Sequence, residues 1–131
     1  MGEPATTPAR MNLSWGDVAT RVNSMADMIC DPQAWNNLAR GHTLNTYLEI
    51  YPVPRGGIPV ASMLLGVLLE RNMTTRIIPS PSGKCLIVDD VVDSGDTRRR
   101  YQERYPNCPF YTVVDKPLNN ITQWVVFPWE E

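Results

Sequence analysis

The chain reads as an α/β domain on a doubly wound, mostly parallel sheet of about five strands. Three observations predict it. Short β-prone segments alternate with segments of helical period. Residues 86–88 form an unbroken apolar run, as a strand covered on both faces requires. Two strand-to-helix junctions, at Arg55-Gly56-Gly57 and Ser94-Gly95, carry the glycines of tight βα turns.

Residues 1–12 are rich in Pro, Thr and Ala without periodicity and read as a flexible tail ahead of one domain over 13–131. Ser14 and Asp17 have capping-box spacing, and Trp15, Val18, Val22, Met25, Ala26 and Ile29 recur at helical period, so a helix ends before Pro32. The polar stretch 36–45 holds His42, and a lone loop histidine is given no role. Residues 47–53 form a strand stopped by Pro54. Pro59 suits the first turn of a helix running to Arg71 that buries Val60, Leu64, Leu65, Val67 and Leu68. Residues 76–79 form a short strand, joined by residues 80–83 to the strand at 86–88. A helix follows over 97–105, then strands at 110–114 and 124–127.

With 131 residues the chain has room for one core and one site. A net charge of −2 supplies no global field for nucleic acid or an anionic membrane, so a polyanion would be held by local groups. The three cysteines, Cys30, Cys85 and Cys108, lack paired spacing, which argues against a disulfide framework or zinc site and for a reducing cytoplasm. No segment approaches the ~20 apolar residues of a membrane helix, and none has signal-peptide character.

The chemistry concentrates in residues 85–97. Asp89 and Asp90 stand where a buried strand emerges, the place where open α/β sheets bind ligands. Asp93-Ser94-Gly95-Asp96-Thr97 then offers hydroxyls, a glycine and the free amides of a helix start, a phosphate cradle. Carboxylates accept from ribose hydroxyls or hold hydrated magnesium, so the pair and the loop together suit a phosphorylated ribose. An ordinary strand, Asp-rich turn and helix cap would explain Asp93 or Ser94, but not the preceding pair.

Four apolar residues, two acids, two apolar residues and an acid-hydroxyl-glycine-any-hydroxyl loop together resemble the phosphoribosyl-diphosphate signature of the type I phosphoribosyltransferases. The tryptophan-led helix, Arg-Gly-Gly turn, Lys116-Pro117, Trp124-Val125 and closing Pro128-Trp129-acid extend the resemblance over residues 13–131, toward the xanthine-guanine branch. The resemblance implies a family core with a reduced hood and lid, since little more than residues 79–84 stands where relatives carry a long flexible loop. It implies transfer of ribose 5-phosphate from phosphoribosyl diphosphate to a 6-oxopurine (guanine, xanthine or hypoxanthine), with release of pyrophosphate and Mg2+ as cofactor.

Carried onto this sequence, Asp89 and Asp90 would bind the ribose, with Asp90 nearest the magnesium, and Asp93, Ser94, Gly95, Asp96 and Thr97 would bind the 5-phosphate. Asp93 would also serve as general acid/base at the purine N7. Arg55, Gly56 and Gly57 would hold the diphosphate through backbone amides, in a loop that often carries a non-proline cis peptide in the family. Lys116 would donate to O6, Trp124 would stack on the base, and Val125 would present backbone to its exocyclic groups. Read on their own, Arg55 and Lys116 are equally solvent-facing cations and Trp124 a core aromatic. An inward Asp96 would repel phosphate and an outward one would be harmless.

The family's usual assembly implies a homo-oligomer, dimer or tetramer, with Trp129 and Met63 as candidate contacts. A non-catalytic binder of nucleotide or phosphoribosyl diphosphate remains the alternative. A receiver-type signalling domain also pairs acids with a lysine, but here the acid pair comes too late in the chain.

Overall fold

The computed structural model describes residues 9–31 and 48–130. Residues 1–8 of the expected tail, and His42 with its polar stretch, lie outside them. The element order is β1 (Arg10–Asn12), α1 (Trp15–Cys30), β2 (Leu48–Pro52), α2 (Gly57–Glu70), β3 (Thr75–Ile77), β4 (Leu86–Val92), α3 (Asp96–Arg104), β5 (Phe110–Asp115), α4 (Lys116–Asn119) and β6 (Trp124–Val126), with a closing 3₁₀ turn at Pro128–Glu130.

Strands β3, β2, β4 and β5 form one parallel sheet in that order. The register places Pro52 opposite Val88, and Val92 opposite Asp115, so the carboxyl ends of β2, β4 and β5 open along one edge. Helices cover both faces, the doubly wound arrangement. On one side α1 and α2 seal the main core through Val18, Val22, Ile29, Val60, Leu64 and Leu68, all fully buried. Each such side chain contributes about 1.5–3 kcal/mol of transfer free energy. On the other side α3 covers a smaller cluster of Ile87, Cys85 and Cys108 with Tyr51, Tyr101 and Tyr105.

α1 starts as its sequence demands: Ser14 Oγ accepts from the Asp17 amide at 3.0 Å, and Asp17 Oδ2 accepts from the Ser14 amide at 2.9 Å. The short connector after β3 is pinned by thiols, since Cys85 Sγ and Cys108 Sγ both donate to the Ser82 carbonyl.

The structure departs from expectation at four places. The strand expected last, now β6, does not extend the main sheet. It pairs in parallel with β1, Met11 opposite Val125. Residues 10–12, expected in the tail, therefore form a strand, tied by the Leu13 amide to the Val126 carbonyl and by the Trp124 amide to the Ala9 carbonyl. β4 runs to Val92, so Asp89 and Asp90 lie within the strand rather than beyond it. Finally, Trp129 stacks on Phe127, with ring centroids 4.8 Å apart, and Met63 packs against the core. Both are thus partly buried rather than exposed.

Candidate functional site

Three strand ends build the site. Beyond β2, the Val53 amide donates to the Val88 carbonyl, and the Pro54–Arg55 peptide bond is cis. The turn then closes into α2, with Gly57 donating to Val53 and Ile58 to Arg55. Among the described residues the Arg55 and Gly56 amides have no such acceptor. At Gly56 a Cβ would fall 2.1 Å from Asp90 Oδ2 and would displace that carboxylate. At Gly57 it would fall 2.4 Å from the Val88 carbonyl oxygen.

β4 delivers the carboxylate pair. Asp89 Oδ1 accepts from the Asp90 amide at 2.8 Å, and Asp90 Oδ1 accepts from the Val91 amide at 2.7 Å. Burial, reinforced by Asp90 beside it, pushes the Asp89 carboxyl up to about 8. With Asp89 buried and Asp90 half-buried beside it, two negative charges are poorly stabilised here, and a divalent cation or a set of hydroxyl donors relieves them. The donor set therefore fits a magnesium ion held by two carboxylates and completed by ligand and water oxygens.

The loop after β4 turns at Gly95, whose φ of +95° lies in the left-handed region. Gly95 is also the N-cap of α3 and provides no side-chain cap for the first amides of the helix. The Asp96 amide donates to Ser94 Oγ at 3.3 Å. The Asp96 side chain points outward and pairs with Arg99 at 2.9 Å. Beyond β5, the buried Asp115 accepts from the Leu118 amide, capping α4, and also holds Arg98. This cap fixes Lys116 in the first turn of a short helix. Its Nζ reaches Asp93 Oδ1 at 2.9 Å, with the lysine side chain only 14% exposed and the aspartate 71%.

Arg55, Gly56, Asp89, Asp90, Asp93, Ser94, Gly95, Thr97, Lys116, Trp124 and Val125 all line one cleft of about 620 Å3. Two expected members do not. Gly57 is buried with its amide spent on Val53, and Asp96 faces solvent. Lining or supporting residues that were not anticipated include Arg98, Asp115, Phe127 and Glu130. Glu130 is held in place as its Oε1 accepts from the Phe127 amide at 2.9 Å. The Pro-Trp-acid ending was a visible signal for Glu130, whereas nothing local distinguishes Arg98 from its arginine neighbours.

Comparison with known proteins agrees with this geometry. No family model matches the chain. It is 27% identical over 146 aligned positions to the xanthine-guanine phosphoribosyltransferase of Vibrio atlanticus, covering 90% of this chain and 87% of that one. Against the corresponding enzyme of Nitratidesulfovibrio vulgaris it is 26% identical, over 74% of this chain and 75% of the relative. Among solved structures, the hypoxanthine phosphoribosyltransferase of Trypanosoma cruzi in complex with IMP superposes with a TM-score of 0.60 at 19% identity, covering 90% of this chain and 76% of that one. The xanthine-guanine-hypoxanthine phosphoribosyltransferase of Helicobacter pylori gives 0.54 at 16% identity, over 93% and 94%.

Proposed function

From a chain that has the type I phosphoribosyltransferase fold and is related in sequence to the xanthine-guanine phosphoribosyltransferases, we propose a purine-salvage enzyme. It would transfer ribose 5-phosphate from phosphoribosyl diphosphate to N9 of a 6-oxopurine and release pyrophosphate. The observation that carries this reading is the convergence of a carboxylate pair, an uncapped phosphate-sized loop, and the Lys116–Asp93 pair in one cleft walled by Trp124.

In this mechanism the amides of the 93–97 loop bind the 5-phosphate, while Asp89 and Asp90 accept from the ribose hydroxyls. A magnesium ion held beside Asp90 would neutralise the diphosphate as it leaves. The Arg55 and Gly56 amides face that diphosphate, and Gly57 contributes by letting α2 pack against β4. Trp124 covers one face of the base. In the N7–H tautomer of a 6-oxopurine, O6 is an acceptor and N7–H the neighbouring donor on one edge, which matches a lysine and an aspartate 2.9 Å apart. Lys116 donates to O6. As N9 bonds to the ribose carbon and the carbon–diphosphate bond breaks, the Asp93 carboxylate accepts the proton that leaves N7, so the nucleotide base ends neutral. The carboxylates beneath the sugar suit the positive charge that develops there. An ammonium has no acceptor, so adenine, with an amino group at that position, is rejected.

A reducing cytoplasm is part of the reading, with Cys85 and Cys108 as free thiols, one donating to the other at 3.6 Å. Among the described residues no helix is long and apolar enough to cross a membrane. A homo-oligomer is part of the reading, and the structure of one Trypanosoma cruzi relative was studied for its oligomeric state.

The test supplies the protein with Mg2+, phosphoribosyl diphosphate and each purine base, and follows nucleotide and pyrophosphate. Product is expected from 6-oxopurines and not from adenine. Asp93→Asn should lower kcat by about 10²–10⁴-fold while leaving the KM for the donor closer to its starting value. Saturable donor binding without product from any base would sink the enzymatic reading.

A further inference from the structure

Four of the nine residues of α3 are arginines, and they sort into two classes. Arg98 is paired with Asp115 and Arg99 with Asp96. Arg100 and Arg104 have no carboxylate partner among the described residues. Arg100 reaches only the Thr97 hydroxyl at 3.4 Å, and the Arg104 guanidinium lies 5.7 Å from the Tyr105 ring centroid. Their i,i+4 spacing puts both on one face of the helix, where like charges destabilise it. An unpaired, mutually repelling pair is a cost that a bound anion removes.

These two arginines line a second cleft of about 640 Å3 on the α3 side of the sheet edge. It is continuous with the first, since Gly56, Asp89, Asp90 and Thr97 line both. Pro54 forms another part of its wall, and from the short connector after β3 comes Pro81, which brings neither charge nor an N–H. Tyr51 and Tyr101, with hydroxyls 3.5 Å apart, supply neutral donors beside the arginines. The second cleft thus starts at the Arg55–Gly56 turn and the carboxylates and ends at Arg100 and Arg104.

We propose that Arg100 and Arg104 form an outer clamp for the diphosphate of the donor, gripping the phosphoryl group that the turn at Gly56 leaves facing solvent. The proposal rests on the reading of the first cleft as the phosphoribosyl-diphosphate site. With the ribose over Asp89 and Asp90, the 5-phosphate takes the 93–97 loop and the diphosphate points into the space that the arginines border. A diphosphate with its magnesium still carries negative charge, and guanidinium forks match its oxygens in pairs.

The experiment measures calorimetric binding of magnesium pyrophosphate and, separately, of GMP to the unaltered protein, Arg100→Gln, Arg104→Gln, the double variant and Arg99→Gln. GMP carries a base and a 5-phosphate but no diphosphate. Arg99→Gln makes the same charge change on the same helix, outside the cleft. Each clamp variant should raise the Kd for magnesium pyrophosphate about tenfold, and the double variant further. GMP affinity and the far-UV spectrum should stay unchanged, reporting an intact fold. Equal pyrophosphate affinity in the double variant would overturn the clamp while nucleotide synthesis by the unaltered protein still upheld the enzyme. A loss in Arg99→Gln as large as in Arg100→Gln would overturn it too, by reducing the effect to net charge. Neither synthesis nor pyrophosphate binding in the unaltered protein would bring down the first reading and the clamp with it.

Discussion

The turns at 55–57 and 93–97 stand on the paired strands β2 and β4, open into the same cleft and lead into helices, yet their glycines answer different demands. Gly56 and Gly57 have ordinary helical-side geometry around them but no room: one abuts the Asp90 carboxylate, the other the Val88 carbonyl. Gly95 has open space where a Cβ would stand and a φ of +95°. The first turn is shaped by its neighbours, the second by its own backbone. The helices behind them follow suit. α2 is apolar and anchored in the core, while α3 buries no residue fully and is rich in charge. A close-packed turn fixes where the strand ends meet, and an open one leaves amides free for a ligand. α1 gives the contrasting case, a helix start whose amides are closed off by Ser14 and Asp17 and which carries no site.

Between the two turns lies Asp89, and its titration gives the largest expected effect. Its folded-state value of about 8 stands above the ordinary 3.8, so the folded protein holds a proton that the unfolded chain has released. The associated stability is full below the ordinary value and is lost as pH climbs through that window. The slope is at most about 1.4 kcal/mol per pH unit. Urea denaturation of the metal-free protein should therefore show stability falling between about pH 5 and pH 8. Asp89→Asn should flatten that decline, because the amide oxygen still accepts from Asp90 and nothing ionises. A decline of the same steepness in the variant would assign it to other groups.

Next comes Gly57→Ala. Backbone at the centre of the sheet cannot step aside from a Cβ 2.4 Å away, so unfolding free energy should drop by about 3 kcal/mol, read from the urea midpoint. At Gly56 the obstacle is a carboxylate that can rotate. Gly56→Ala should cost only about 1 kcal/mol of stability, yet raise the Kd for magnesium pyrophosphate by displacing Asp90. If the two variants proved equally unstable, the distinction between a rigid and a yielding neighbour would be wrong.

Much of this was legible before any coordinates. The run 86–88 announced a central strand because only a strand covered on both faces tolerates unbroken Leu-Ile-Val, and all three are buried. The capping box at Ser14 and Asp17 is local chemistry, and it formed as spaced. The motif from Asp89 to Thr97 reached one cleft, apart from Asp96, whose direction depends on the Arg99 charge one turn along. The partnership of β1 with β6 was not legible, because three-residue strands far apart in sequence carry too little pattern to name each other. Arg98 was hidden for a related reason. Its partner Asp115 is brought to it by the β4–β5 register, not by proximity in the chain. The roles of Arg100 and Arg104 likewise follow from which neighbours were neutralised, and only the packed helix reveals that.

The finest test of the comparison is Gly95→Ala. A Cβ at this position meets nothing within 4 Å, so no neighbour has to move, and the whole cost is that of holding an L residue at positive φ. That cost is about 1 kcal/mol. The effect on the ligand should differ in kind from that of Gly56→Ala. Relaxing φ would swing the first amides of α3 out of line, so GMP affinity, which depends on the 5-phosphate, should fall, while magnesium pyrophosphate affinity should hold. Calorimetry with both ligands separates the outcomes. A Gly95→Ala protein that lost pyrophosphate and kept GMP would mean that the two turns had been assigned to the wrong ends of the donor, and the glycine geometry alone would then explain stability but not binding.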